Sequence, residues 1–271
     1  MKTTATANRF SFLRVRAILR RQTFVQLRAP QRWFDVAIWP LVDTVIWGSI
    51  GLFVDQQGGA MRAGLPYMLS GILLMHVVYQ ANVSMAVGFM DETWSRNLLN
   101  LMVTPLREAE FLTGLVIMSG ARLIAGLSVV ALAAFGLYSF NVTTAGLGLI
   151  PVVAVLMLVG WSISLFVMAL VLRFGNGAEI LCWGLLFVVV ALSGAFYPIE
   201  AMPGALQPLA RLLPSTHAFE AARRLLDGDP MPWNLMASAA AGLAVALPVS
   251  LMVVWRMLGV FRARGYVTRY S

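Results

Sequence analysis

Six long apolar stretches constrain this chain more than any other feature. A helix needs about 20 mostly apolar residues to cross the hydrocarbon core of a bilayer. Six segments reach about that length, at 34–54, 67–90, 111–138, 147–172, 179–197 and 234–258. The chain is therefore predicted to be an all-α integral membrane protein with six transmembrane helices.

Composition and charge support the membrane class. Hydrophobic residues make up 59% of the chain and charged residues only 12%, whereas soluble domains carry about 25% charged residues. The net charge of +8 could suggest a nucleic-acid partner. The basic residues instead cluster at the two termini, beside the first and last apolar spans, as the positive-inside rule produces. We therefore expect the lipid bilayer, and no nucleic acid, as a partner.

The distribution of Lys and Arg predicts the orientation. Fifteen of them fall on the side that holds both termini and the 91–110 loop, and four fall on the other side, with Arg122 inside a span. This bias predicts cytoplasmic N- and C-termini and an even number of crossings. The expected location is the inner (cytoplasmic) membrane of a bacterium, as a multi-pass protein.

The pattern divides the chain into three parts. Residues 1–32 are predicted to form a cytoplasmic basic amphipathic helix in the membrane interface, with apolar residues at helical spacing (Phe10, Leu13, Ala17, Phe24 and Leu27). Residues 33–259 form the six-span transmembrane domain, and residues 260–271 form a basic cytoplasmic tail. The first part is either a topology anchor alone or, in addition, a surface that contacts a partner.

The loop over residues 91–107 is predicted to contain a short cytoplasmic coupling helix between spans two and three. Asp91 and Glu92 are placed in its first turn, where carboxylates stabilise a helix N-terminus. One face carries Trp94, Leu98, Leu101 and Met102, Arg96 lies between them, and Pro105 ends the helix. This face either lies on lipid headgroups or docks into a cleft on a partner protein and transmits its movement.

The sequence predicts no catalytic residues and no metal site. The only lysine is Lys2, and no Gly-rich phosphate-binding loop is present, so a Walker-type nucleotide site cannot form on this chain. His76 and His217 lie in different segments without further His or Cys at metal-ligand spacing. We expect no cofactor on this chain and no enzymatic activity of its own.

Polar side chains inside the first two spans are candidates for a substrate path. Carboxylates near mid-membrane are costly unless they are paired or hydrated, so Asp43 should face protein or water. Its alternative role is structural, with Arg122 on span three as the partner. The candidate path residues are Trp39, Asp43 and Trp47 on span one and His76, Tyr79 and Gln80 on span two. For span two, the alternative is a hydrogen-bonded seam between helices.

The loop over residues 198–233 is predicted to form an extracellular helical hairpin between spans five and six. Two amphipathic pieces, about 204–213 and 215–227, flank a Leu-Pro-Ser break, and Ser215 or Thr216 is expected to cap the second piece. The turn at Phe196, Tyr197 and Pro198 should bend the chain back toward the membrane.

Three parts of the chain resemble the ABC-2 type permeases, the membrane subunits of ATP-binding cassette exporters. They are the basic N-terminal helix, the loop from Asp91 to Leu106, and the stretch Leu192–Pro203 followed by Leu213–Arg223. The last pattern, SGxFYPxxxMP and then LPxTxxxEAxR, is the most specific of the three. The 91–96 stretch departs from many members, which carry Glu-Arg and then Gly-Thr there.

The resemblance implies how the chain would work. It implies two permease chains, as a homodimer or heterodimer, and two ATPase subunits that carry ATP and Mg. Closure of the ATPases would push the 91–105 helix and switch the path between the permeases. In this family the turn at 196–198 would act as an extracellular gate, and its alternative role is a cap over the span ends. The expected cargo is hydrophobic or amphipathic, such as a drug, a lipid or a lipid-linked glycan.

Two other functions remain open from the residues alone. An ion-coupled secondary transporter would use Asp43 and Arg122 as a relay, would be driven by the membrane potential and would need no ATPase. The absence of an internal repeat and of Gly/Pro-broken paired helices argues against it. A membrane scaffold without transport would tolerate charge reversal in residues 91–96.

Overall fold

The structure, a computed structural model, describes residues 10–56, 64–95, 97, 100–101 and 104–263, and these residues are mostly helical. The principal helices are α1 (Phe12–Arg28), α2 (Gln31–Gln56), α3 (Gly64–Trp94), α4 (Glu108–Tyr138), α5 (Leu149–Phe174), α6 (Ile180–Leu192), α7 (Gln207–Leu212), α8 (Pro214–Leu226) and α9 (Trp233–Ala263). A π-helical turn, Phe34–Ile38, interrupts α2, and a 3₁₀ segment, Val142–Gly148, leads into α5.

Five of the described helices are long and apolar enough to cross a membrane. They are α2, α3, α4, α5 with its leading 3₁₀ segment, and α9. They coincide with five of the six predicted spans, because an unbroken apolar run of this length leaves few alternatives to a helix. The all-helical membrane class is confirmed.

The prediction of a full span over residues 179–197 is wrong in its extent. The helix there, α6, has 13 residues and so extends about 20 Å, short of the roughly 30 Å hydrocarbon core. It begins level with the middle of α3, where Asn82 donates to the Cys182 carbonyl at 3.1 Å. It ends because Gly194 adopts a left-handed conformation with φ of 65° and Pro198 comes four residues later.

Helix α3 is the centre of the bundle. Its side chains are buried along most of its length, and it packs against α2, α4 and α5. The approach to α5 is close, since a Cβ added at Gly160 would lie 2.6 Å from both the Ala81 Cβ and the Val78 carbonyl oxygen. By contrast, α2, α4 and α9 turn a large share of their apolar side chains outward, as expected of surfaces that meet lipid or another chain.

The two ends of the bundle differ in what covers them. At one end, called here the α1 end, α1 lies against the end of α3 and the start of α4. At the opposite end, α8 packs against α9 and α5. The sequence places the α1 end in the cytoplasm, and that orientation stays a prediction.

Helix α1 uses a face that the sequence did not indicate. Its buried residues are Val15, Ile18, Gln22 and Gln26, which recur at three- and four-residue spacing. The five residues predicted as its apolar face are all exposed. One face of α1 fits the groove beside Gly114 of α4, where Ile18 is in contact, and the face that was predicted to be apolar lies on the outside of the bundle.

Candidate coupling site and buried polar cluster

Three ion pairs fix α1 and the start of α2 to the α1 end of the bundle. Arg14 Nε and Nη2 each donate to Glu110 on α4 at 2.6 Å. Arg21 Nε and Nη2 each donate to the carboxylate of Glu92 on α3 at 2.7 Å. Arg32 Nη2 donates to Asp91 at 2.5 Å. Two of these pairs are bidentate, which is the strong and orientation-specific form of the arginine–carboxylate contact.

Glu110 joins three segments of chain through one carboxylate. Besides Arg14, it accepts the backbone N–H of Ser11 at 2.7 Å and that of Arg107 at 3.0 Å. The second bond caps the first turn of α4 from its third residue. The hydrogen bond to Glu110 in turn raises the pKa of Arg14 above its usual value. These pairs could not be predicted from the sequence, because partners more than 50 residues apart leave no local pattern.

The structure corrects the predicted position of Asp91 and Glu92. They lie in the last turns of α3, and not in the first turn of a separate helix, because α3 continues unbroken to Trp94. The preference of carboxylates for the first turn of a helix does not explain the position of Asp91 and Glu92. Their ion pairs with Arg32 and Arg21 do. Glu92 is 1% exposed, so its charge faces the protein and not a docking partner.

The rest of the predicted coupling segment is only partly described. Arg96, Leu98 and Met102 lie outside the described residues. Trp94 is 39% exposed, and Pro105 is exposed in a turn before α4. Leu101 has helical backbone and packs partly against the core. An exposed Trp beside a well-anchored helix end therefore remains as the candidate contact.

A buried polar cluster lies in the middle of α3. His76, Tyr79 and Gln80 are all buried. Gln80 donates to the backbone carbonyl of Asp35 on α2 at 2.9 Å, and the Tyr79 ring lies 5.7 Å from the ring of Trp183 on α6. These contacts form a seam that joins α2, α3 and α6, as the sequence allowed.

Asp43 faces His76, and Arg122 is not its partner. The His76 Nε2 lies 3.6 Å from Asp43 Oδ2, while its Nδ1 contacts the Ile72 carbonyl at 2.9 Å. Arg122 interacts electrostatically with Asp35, eight residues earlier on α2. The alternative in which Asp43 pairs with Arg122 is therefore not found among the described residues, and the carboxylate that interacts with Arg122 is Asp35, within the π-helical turn of α2.

The two tryptophans of the candidate path point in different directions. Trp39 is 43% exposed on the outside of the bundle. Trp47 is partly buried and stacks on Phe196, with ring centroids 4.0 Å apart and planes 8° apart. This contact connects α2 to the turn after α6, so Trp47 belongs with the predicted gate residues and Trp39 does not.

The turn after α6 is held by Arg223 of α8. Arg223 Nη2 donates to the carbonyls of Gly194 and Ala195, each at 2.7 Å, and its guanidinium lies 3.7 Å from the Tyr67 ring centre. Burial lowers the pKa of Arg223. Tyr197 donates to the Ala191 carbonyl at 2.7 Å, and Pro198 starts a 3₁₀ turn.

The predicted hairpin is present as α7 and α8, but its capping is not as expected. Ser215 and Thr216 do not cap α8, whose first residue is Pro214. The Ser215 hydroxyl lies 2.5 Å from the Ser193 hydroxyl, and Thr216 donates to the Ala210 carbonyl at 2.6 Å. The N-cap position is Leu213, and Ser215 and Thr216 are the second and third residues of the helix, so their hydroxyls instead join the loop to its neighbours.

The fold defines a helical membrane protein whose charged contacts are concentrated at one end. The sequence matches the ABC-2 type transporter family over residues 14–226, which is most of the chain. The chain therefore belongs to the ABC-2 type transporter family, whose members are transmembrane components of ABC transporters, and the resemblance seen in the sequence is confirmed. A comparison with curated proteins finds no significant match.

Proposed function

We propose that the chain is the permease subunit of an ATP-driven exporter, in which two permease chains work with two separate ATPase chains. Membership of the family supports the transmembrane role, and the sequence has no nucleotide-binding loop. ATP and Mg belong, in this proposal, to the partner subunits. The permease resides in the inner membrane of a bacterium with the α1 end in the cytoplasm.

The coupling surface runs from the last residue of α3 into the loop before α4, at residues 94–105. The observation that carries this proposal is Trp94, a large apolar side chain that is 39% exposed at the end of α3, and two ion pairs hold that end to α1 and α2. Exposed aromatic side chains on a rigid base are typical anchors of protein interfaces. Asp91 and Glu92 form the base, so the contact itself is assigned to Trp94, Arg96, Leu98, Leu101, Met102 and Pro105.

The ion pairs define which helices a force on this segment would move. Glu92 at the end of α3 and Glu110 at the start of α4 both bind α1, through Arg21 and Arg14. A push on the loop between them therefore displaces α1, α3 and α4 together. Because α3 is the centre of the bundle, this displacement reaches the packing of the whole transmembrane domain.

The cargo path runs between two copies, along the outward faces of α2 and its neighbours. Many apolar side chains of α2 are exposed, including Trp39, Ile46 and Phe53, and such a surface suits a hydrophobic or amphipathic compound such as a drug, a lipid or a lipid-linked glycan. The Trp47–Phe196 stack lies in the second half of α2, away from the α1 end, where a gate would be.

A second candidate function rests on the contact between Asp43 and His76. These two groups, 3.6 Å apart, could exchange a proton, as an ion-coupled transporter requires. Because Asp43 lies near His76, the second candidate uses this pair in place of Asp43 and Arg122. Transport that depends on the membrane potential, is lost in Asp43→Asn and persists without an ATPase would favour the second candidate.

The test compares two exposed tryptophans at opposite ends of the bundle. Trp94→Ala should reduce copurification of a Walker-motif ATPase in mild detergent by at least about tenfold, since loss of an aromatic anchor costs about 2 kcal/mol or more. Trp233→Ala is the matched control, because Trp233 is 69% exposed at the start of α9. Equal copurification by both variants, or no ATPase bound by the unmodified chain, would refute the proposal.

A further inference from the structure

A cavity of about 230 Å³ lies between the second half of α1, the beginning of α2 and the middle of α4. Leu27 of α1, Trp33 of α2 and Ala125 of α4 line its walls, and Arg122 supplies its only cation among the described lining residues. Neither the coupling segment nor the polar cluster of α3 contributes to it.

Arg122 is buried without hydrogen bonds from its described surroundings. It is 6% exposed, and its Nε has no hydrogen-bond partner within the part of the chain that the structure describes. It takes part in none of the ion pairs found among those residues. A buried guanidinium with unused donors is costly, and an ionisable residue inside a membrane protein is a candidate for a functional site.

The nearby charges leave room for an anion. The strongest electrostatic interaction of Arg122 is the attraction to Asp35, and the next is repulsion by Arg32. Arg32 donates to Asp91, so that carboxylate is already engaged. Asp35 thus offsets part of the charge of Arg122 without occupying its donors, and a further anion with oxygen acceptors fits the unused donors.

The position of the cavity matches the headgroup region of a bilayer. Side chains on a helix lean toward its N-terminus, so Arg122 points along α4 toward α1. Leu27 of α1 lines the cavity and is 60% exposed, as in an interfacial helix that meets headgroups. Beyond Arg122, on the side of α4 that carries Ala125, Leu132 is 72% exposed, a surface along which an acyl chain can lie.

We propose that this cavity binds the phosphate of an anionic phospholipid from the leaflet next to α1, with Arg122 as the phosphate ligand. The planar guanidinium donates to two phosphate oxygens at once, which an ammonium cannot do with the same geometry. The apolar walls and the outer side of α4 hold the acyl chains. The site is independent of the ATPase and of the coupling segment.

The test measures lipid binding to the purified full-length chain. Native mass spectrometry, with phosphatidylglycerol and phosphatidylcholine of the same acyl chains, should show at least tenfold tighter binding of phosphatidylglycerol. Arg122→Met should remove that preference. Arg173→Met is the control, because Arg173 is an exposed arginine near the end of α5 that any surface-bound lipid would contact equally well.

A second variant keeps the charge and fills the cavity. Ala125 is exposed on α4 and lines the cavity, so Ala125→Phe should weaken phosphatidylglycerol binding about tenfold with little disturbance of the core. Phosphatidylglycerol with brominated acyl chains should quench the tryptophan fluorescence of the unmodified chain more than that of the Trp33→Phe variant, since Trp33 borders the cavity.

Two results would overturn the proposal. One is phosphatidylglycerol binding that is unchanged in both Arg122→Met and Ala125→Phe. The other is a combined result, in which 10 mM inorganic phosphate displaces phosphatidylglycerol and the chain binds both lipids with equal affinity. That phosphate concentration is on the order of 10⁴ times a typical micromolar Kd. This result would mean that the cavity binds a soluble anion and not a lipid. The proposal is supported if the unmodified chain retains phosphatidylglycerol in the presence of inorganic phosphate and if Arg122→Met or Ala125→Phe loses it.

Discussion

Removing Arg21 should destabilise the protein more than removing the charge of its partner, Glu92. The Glu92 side chain is 2% exposed, whereas that of Arg21 is 41% exposed. Arg21→Met leaves a buried carboxylate whose remaining described donor is the amide of Asn97, at 2.7 Å. Glu92→Gln instead leaves a guanidinium that water can reach. The burial of the two partners therefore predicts unequal effects from the loss of the same ion pair.

The magnitudes depend on that difference. Loss of one partner from a fully buried pair costs about 3–5 kcal/mol. Because the Asn97 bond remains and Arg21 is partly solvated, we expect about 2–3 kcal/mol for Arg21→Met. Glu92→Gln should cost about 0.5–1.5 kcal/mol, as for a hydrogen bond lost where water can replace it. At about 2–4 °C per kcal/mol, the thermal midpoints should fall by roughly 4–12 °C and 1–6 °C.

The assay is thermal unfolding of the purified chain in detergent, monitored by intrinsic fluorescence. The double variant Arg21→Met with Glu92→Gln should be more stable than Arg21→Met alone, which gives a coupling of about 1–2 kcal/mol in a double-mutant cycle. The control is Arg224→Met, since the Arg224–Glu220 pair is exposed on both sides at 46% and 42% and should shift unfolding by under about 1 kcal/mol. Equal shifts of the thermal midpoint in Arg21→Met and Glu92→Gln would contradict the predicted effect of burial. A shift in Arg224→Met as large as that in Arg21→Met would contradict it too.

Two more predictions concern the turn after α6. Gly71→Ala should lower the thermal midpoint, because the added Cβ would overlap the carbonyl oxygen of Ala195. Gly120→Ala, whose Cβ meets nothing within 4 Å, should leave the midpoint unchanged or raise the free energy of unfolding by up to about 1 kcal/mol. A midpoint for Gly71→Ala at or above that of Gly120→Ala would contradict the close packing. Arg223→Lys should be less damaging than Arg223→Met in the same assay, since an ammonium can still reach one of the two carbonyls that Arg223 serves; equal losses would mean that the hydrogen bonds contribute little.

The spans could be predicted because apolar length is a local property, whereas the ends of the spans could not. The fifth apolar run has the composition of a transmembrane helix through residue 197, yet α6 stops at Leu192. The conformation of Gly194 stops it, together with the donation of Arg223 to two carbonyls of the turn. Arg223 lies nearly 30 residues downstream, so the hydropathy of the run contains no sign of it.

The charged contacts of the candidate site were misassigned for a related reason. The sequence offered Arg122 as one alternative partner of Asp43, but the sequence does not fix the direction in which each side chain points. In the structure Asp43 lies beside His76, and Arg122 interacts electrostatically with Asp35, which lies in the π-helical turn at Phe34–Ile38. The sequence has no local pattern that indicates a π-helical turn at this position.

The two faces of α1 connect the proposed coupling site to the membrane itself. Its inward side is ion-paired to the ends of α3 and α4, so a force on the segment between them must also move α1. Its outward side carries exposed Phe24 and Leu27, which would lie among headgroups, so that movement displaces lipid. Leu27 also lines the cavity of Arg122. A lipid held there would resist the displacement of α1, and coupling efficiency should therefore depend on the anionic lipid content of the bilayer in the unmodified chain and lose that dependence in Arg122→Met.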